Sequence, residues 1–263
     1  MSLKNLLPVS VGFIVLLSAA IVYAGEKITI VSTDYPPHIW QEGKEVKGLR
    51  VELLSELFKR MGYQYIPRIV PWKRAIKEVK YGEVEGIGSI WYKPEREDFL
   101  YYPEFTFNIE ILGIYQPVGS KEISYRSLED FKGLQIGVIM GFSYPKAFLE
   151  STLFERQEVH SDELNFRKLA YKRVHAVISD SIVADYKIRR LGLQDQIFRN
   201  KNNYNEGIWG YIAFSKKNPK GKKLAAEYDR FIQELIKEDF YQNIFRKYMG
   251  REPDKLPEAA AKP

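Results

Sequence analysis

Arg96 is the residue whose type and setting first point to chemistry. It stands in Gly86-Ile-Gly-Ser-Ile-Trp-Tyr-Lys-Pro-Glu-Arg-Glu-Asp-Phe-Leu-Tyr-Tyr-Pro-Glu104, where an apolar strand runs to Ser89 and a loop of aromatic and charged residues follows. A loop just past the carboxyl end of a strand is where open α/β sheets place their ligands. The planar guanidinium can grip a carboxylate with two parallel hydrogen bonds. The plainer role for Arg96 is a solvated ion pair with Glu95 or Asp98. Ser143 and Ser161 are each placed to cap a helix, and Arg74, one turn past Pro71, adds a cation that is either exposed or beside the same site.

The elements that must position these residues alternate. Strands are expected at 27–32, 63–70, 84–89, 109–115, 134–140 and 174–178, with helices at 51–61, 71–81 and 179–190 between them. Val51, Leu54, Leu57, Phe58 and Met61 share one helical face, and Gly62 ends that helix. Such βαβ order implies a mostly parallel sheet flanked by helices. The pattern comes twice: Tyr81-Gly-Glu-Val-Glu-Gly-Ile-Gly-Ser89 echoes Tyr171-Lys-Arg-Val-His-Ala-Val-Ile-Ser179. That echo implies two similar lobes. The chain closes with two amphipathic helices, one carrying Leu224, Tyr228, Phe231, Ile232 and Leu235 and the other Phe240, Ile244, Phe245 and Tyr248. A polar tail is expected at 251–263.

Residues 1–24 have the marks of a cleaved export signal. Lys4 precedes an apolar run from Leu6 to Val22, and Val22-Tyr-Ala24 suits cleavage before Gly25. About 239 residues then remain, enough for one large domain or two small ones. The chain has no cysteine, which excludes disulfides, a lipid-bearing cysteine and cysteine-based metal sites. His38, His160 and His175 lack metal-ligand spacing, so neither a metal nor another cofactor is expected. The net charge of +6 is scattered and forms no basic run, which argues against a nucleic-acid partner.

Five segments in order carry a resemblance. They are Thr33-Asp-Tyr-Pro-Pro37, Gly48-Leu-Arg-Val-Glu-Leu53, Gly82-Glu-Val-Glu-Gly86 running into Pro94-Glu-Arg96, Gly137-Val-Ile-Met-Gly-Phe-Ser143, and Glu238-Asp-Phe-Tyr-Gln-Asn-Ile-Phe-Arg-Lys-Tyr-Met-Gly250. Over residues 26–250 the chain resembles the bacterial extracellular solute-binding proteins of family 3, the periplasmic amino-acid-binding proteins of ABC importers. The resemblance implies a type II periplasmic-binding-protein fold with two α/β lobes joined by two crossover strands. Lobe 1 is expected at 25–115 and 209–250 and lobe 2 at 116–208, with crossings near Tyr115–Gly119 and Gly207–Tyr211. It also implies a small carboxylate-bearing ligand caught by hinge closure, a membrane permease as partner, a monomer, and no catalysis.

In this resemblance Arg96 holds the ligand's α-carboxylate and Asp180 its ammonium. Ser143 and the amides after Gly141, including that of Phe142, add carboxylate contacts. Tyr35 and Trp72 sandwich the ligand, and Ser89 lies at the strand end. Capping alone would equally account for Asp180 and Ser143. Trp91 departs from the family's pattern, which has a small hydroxyl residue nearby, and with Arg74 it leaves open a dicarboxylate, a modified amino acid or a small peptide. Two other functions compete: a ligand-sensing partner of a membrane receptor, and a dehydratase using Glu95, Glu104 or His38 as general acid.

Overall fold

The computed structural model describes residues 25–106, 108–205 and 207–253. The expected signal segment and residues 254–263 of the expected tail lie outside them. Among the described residues thirteen strands form: β1 Glu26–Ser32, β2 Trp40–Glu42, β3 Glu45–Lys47, β4 Tyr63–Ile69, β5 Gly86–Trp91, β6 Leu100–Tyr101, β7 Asn108–Glu110, β8 Leu112–Pro117, β9 Gln135–Ile139, β10 Glu155–Val159, β11 Ala176–Asp180, β12 Ile197–Asn203 and β13 Ile208–Ser215. The helices are α1 Leu49–Arg60, α2 Trp72–Tyr81, α3 Lys146–Glu150, α4 Asp162–Ala170, α5 Ser181–Arg190, α6 Gly221–Lys237 and α7 Phe240–Met249.

The strands sort into two larger sheets, ordered β4-β1-β5-β13-β6 with β7 also on β13, and β10-β9-β11-β8-β12. Within each, βαβ units give parallel pairs and the crossing strands give antiparallel ones. Both faces of each sheet are covered, as parallel pairing requires. In the first lobe, Ile28 and Ile30 pack against Leu53, Leu57 and Phe58 of α1 and Tyr228 and Phe245 of α6 and α7. On the opposite face Val31, Ile87 and Ile90 meet Val79 of α2. The last two helices of the chain therefore complete the lobe that its first residues begin. Full burial of a side chain like Phe245 stabilises by roughly 1.5–3 kcal/mol. The second lobe packs Ile136 and Ile178 against Phe131 and Phe148 on one face, and Val177 against Phe166 and Leu169 on the other.

The first crossing comes earlier than expected. The stretch 109–115, read as one strand, is two. Glu110 pairs with Ile208 in the first sheet, while Leu112 already pairs with Asp180 in the second. The chain thus changes sheets at Ile111, not near Tyr115–Gly119, and Tyr115 is buried inside the second lobe. Both pieces are extended and follow one another with a single residue between them, so local sequence does not register the change of sheet. The chain returns between Asn203 and Ile208.

Candidate functional site

Between the two sheets lies a cavity of about 450 Å³, lined from both lobes. From the first lobe come Tyr35, Trp72, Ser89, Trp91, Arg96 and Glu110, and from the second Gly141, Phe142, Ser143, Asp162 and Lys187.

The end of β5 builds one wall. Pairing of β5 with β13 slips register between Tyr211 and Ala213, and Ser89 takes φ +54°, a left-handed value unusual for a residue with a Cβ. Strain of this kind persists where the surroundings enforce it, often beside a ligand site. Beyond Trp91, Pro94–Arg96 forms one 3₁₀ turn that returns Arg96 to the strand. Its Nη1 donates to the Trp91 carbonyl at 2.7 Å, and the guanidinium lies 5.7 Å from the centre of the Trp72 ring. Anchored there, Arg96 is presented to the cavity with donors to spare, since a guanidinium carries five. The Trp91 indole N–H donates to Glu110 Oε2 at 2.7 Å. Trp91 thereby fixes Arg96 through its carbonyl and Glu110 through its side chain.

Aromatic rings bridge the lobes. Phe142 of the second lobe lies 6.3 Å from Tyr35 and 6.3 Å, edge-on, from Trp91. These spacings suit offset and T-shaped ring contact. Ser143 lies on the exposed loop before α3 but does not cap that helix; Pro145 occupies the N-cap. A residue before proline is pushed out of the helical region, so Tyr144 cannot begin the helix and the start moves past Ser143.

The second lobe's contribution continues at the start of α4. Ser161 caps that helix, accepting from Leu164 N. Asp162, next in sequence, accepts a hydrogen bond from the Ser179 hydroxyl, and burial raises its carboxyl to about 6, with Lys187 pulling the other way. Lys187 is paired with Glu163.

Two expected site residues are not in the lining. Asp180 is the N-cap of α5: Oδ1 accepts from Val183 N at 2.9 Å, and the carboxyl is 1% exposed. It lies behind the cavity wall, 4.0 Å from His38 Nε2 of the first lobe, and burial raises it to about 7. Arg74, expected as a second cation, instead lies along α2, with Nε 2.7 Å from Glu78 Oε1 and its side chain 62% exposed. The i, i+4 spacing that makes this pair is what draws Arg74 away. Tyr35, Trp72, Ser89, Trp91, Arg96, Phe142 and Ser143 all line the cavity.

The sequence reading missed Glu110, Asp162 and the buried Arg50. Glu110 is 3% exposed. A lone carboxylate inside the apolar run around Ile109 and Ile111 was the available signal. Arg50, the second residue of α1, is 1% exposed, and its three guanidinium nitrogens have no hydrogen-bond partner among the described residues. Its charge is felt by His38, Tyr35 and Asp180, so a buried polar group lies behind the cavity wall. Burial holds the His38 imidazole well below its ordinary pKa. Of the three general-acid candidates, His38 is in this buried group, and Glu95 and Glu104 are exposed and outside the lining.

Comparison with known proteins follows the same outline. The putative amino-acid ABC transporter-binding protein PatH of Vibrio harveyi is 22% identical over 250 residues, covering 94% of this chain and 98% of that protein. The arginine-binding extracellular protein ArtP of Bacillus subtilis is 28% identical over 121 residues, which cover 45% of this chain and 46% of ArtP. Among solved structures, an ancestral arginine-binding protein bound to arginine superposes with TM-score 0.68 at 19% identity, covering 86% of this chain and all of that one. A histidine kinase sensor domain with similarity to periplasmic binding proteins gives 0.70 at 19% identity, covering 88% and 99%. These structures share the two-lobed type II binding-protein fold. The profile of one family matches residues 28–251, most of the chain, and the chain belongs to that family: the bacterial extracellular solute-binding proteins, family 3.

Proposed function

We propose that this protein is exported, captures an amino acid or a related small carboxylate between its lobes, and delivers it to the permease of an ABC transporter. One observation carries the reading. Arg96, anchored at Trp91 and Trp72, faces an aromatic-walled cavity closed on the other side by the second lobe. The cavity volume of about 450 Å³ falls in the range of small-molecule sites. Arg96 takes the carboxylate, Tyr35, Trp72 and Phe142 supply ring contact, and the amides after Gly141 add donors from the opposite lobe. The two passages near Ile111 and between Asn203 and Ile208 serve as the hinge. The relatives named as amino-acid transporter-binding and arginine-binding proteins support this reading.

A sensing role is the second reading, favoured by the kinase sensor domain's equal structural likeness. Binding itself is tested by a thermal-shift screen of the purified protein against the common amino acids, dipeptides and organic acids. A ligand that binds only the folded state raises its melting temperature. A rise with at least one amino acid is expected. A response confined to compounds lacking a carboxylate contradicts the proposal.

A further inference from the structure

Helix α5 follows β11 directly and belongs to the second lobe, yet one of its sides is docked on the first. Ile182 and Tyr186 pack against the apolar cluster that holds Phe245 and Met249 of α7. The Tyr186 ring lies 6.1 Å from that of Trp40 on β2, and Trp40 meets Tyr248 of α7 edge-on at 5.9 Å. Val183 and Lys187 of the same helix line the cavity. The helix starts beside the first passage between the lobes, where Ser181 N donates to the Ile111 carbonyl at 2.8 Å. A helix that touches both the cavity and the opposite lobe must part from one of them, or slide, when the lobes separate.

Two reciprocal polar contacts join this helix to the end of α7. Arg189 Nη1 donates to the Met249 carbonyl at 2.8 Å. That carbonyl is in the last turn of α7, where the backbone has no helical partner and the dipole favours a cation. Gly250 then takes φ +65°, a left-handed value that glycine adopts without strain, and the next residue reaches back to α5. Arg251 Nη2 donates to Asp185 Oδ2 at 2.8 Å. Asp185 Oδ1 accepts from the Tyr115 hydroxyl at 2.9 Å, so the buried core of the second lobe orients the carboxylate that Arg251 takes. Each lobe thus gives one arginine to the other. The side chains of Arg251 and Asp185 are 32% and 28% exposed, and a pair so exposed adds little to folding. The balance between open and closed lobes is far smaller than the folding balance, and contacts of this size can tip it.

We infer that residues 249–251 form a strap that ties α5 to the first lobe and holds the lobes together while the cavity is empty. Residues that never touch the ligand then set how readily the cleft opens. This goes beyond the proposed transport role and holds for any solute that enters.

The chain has no cysteine, so paired spin labels can be introduced without competing thiols. Glu95→Cys, on the turn that carries Arg96, and Lys146→Cys, at the start of α3, put exposed labels on opposite lobes beside the cavity. Distances between them are measured by pulsed electron–electron double resonance in purified, exhaustively dialysed protein without added solute. The labelled parent should show one main, short distance. Arg189→Ala and Arg251→Ala should each raise the ratio of longer distances to that one by about threefold or more. Asp185→Asn should act like Arg251→Ala, and the two together little more than either, because they remove the same pair. Melting temperatures of the single variants should fall by no more than about 4 °C, which separates a loosened strap from a lost fold. Gly250→Ala strains the left-handed turn with both arginines in place, and should lengthen the distances even if the alanine variants of the arginines do not fold. If the distances of the folded variants match the parent's, whether all short or all long, the strap holds nothing and the inference falls. The amino-acid reading is untouched by that result, because no solute is present.

Discussion

The ends of β5 and β11 are the same local sequence theme with different outcomes. Each strand follows a helix, runs through the middle of its sheet and reaches a serine, Ser89 or Ser179. After Ser89 the chain wanders through Trp91 and a 3₁₀ turn before Arg96, leaving the guanidinium anchored at one nitrogen and presented to the cavity. After Ser179 the helix α5 begins at once, and its free amides claim the Asp180 carboxylate. The distance in sequence from strand end to the next helix decides whether a charged side chain serves the ligand or the backbone. A helix that starts directly after the strand makes a cap, and an intervening loop makes a grip.

The contrast can be broken most forcefully at the first lobe's cover. Phe245 of α7 is buried against α1, so Phe245→Ala should cost about 3–5 kcal/mol of stability, read by chemical denaturation. Hydrogen exchange should place the loss in the first lobe and leave the amides of β9 and β11 protected. Uniform loss in both lobes would mean that they unfold as one unit.

Substitutions at Asp180 sharpen the comparison. Asp180→Ala removes the cap and should cost about 1 kcal/mol, whereas Asn caps nearly as well as Asp. The Asp180 carboxyl is raised to about 7, so the folded state holds its proton more tightly than the unfolded one. Its contribution to stability is fully present below its ordinary value near 3.8 and is lost as pH rises from there to about 7. Asp180→Asn should therefore melt near the wild-type temperature at pH 4 and at or above it at pH 8. A large loss for Asn at pH 8 would give the carboxylate an unrecognised ionic partner.

The smallest effect belongs to Asp162. Burial raises its carboxyl to about 6, against the pull of Lys187, with Glu163 and Asp180 pushing the same way as burial. Its stability contribution is lost as pH rises from its ordinary value near 3.8 to about 6, so Asp162→Asn should gain on the wild type between pH 4 and 6 and keep that gain above it. Melting curves at pH 4 and pH 7 check it, and a gain of the variant over the wild type that shrinks as pH rises would contradict it.

Much of this fold could be read from the residues. The faces of α1 and of the C-terminal helices, the αL glycines Gly62 and Gly82, and the cap at Ser161 follow from spacing and from backbone chemistry that few residue types satisfy. What escaped reading depends on three-dimensional sorting. The run 109–115 looks like one strand because nothing local distinguishes two sheets sharing an extended segment. Arg50 reads as an exposed helix residue until α1 is docked. Glu110 becomes meaningful only when Trp91, nineteen positions earlier, turns its indole towards it. Arg74 and Asp180 show the reverse error: each has the charge a ligand would want, and each has a nearer partner along its own helix.

The most direct test of Arg96 as the carboxylate grip is a double-change titration. The tightest-binding amino acid from the screen and its methyl ester are titrated into the wild-type protein and Arg96→Ala. Esterification removes the anion, and the substitution removes its partner. Each change alone should weaken binding by about tenfold to a hundredfold, the size of one or two charge-assisted hydrogen bonds. Both together should weaken it little further, because the same interaction is lost. Melting of empty Arg96→Ala should stay near that of the wild type, since the cavity side of the guanidinium is not part of the core. Losses that simply add, or an Arg96→Ala protein that binds the free amino acid as tightly as the wild type, would contradict the assignment.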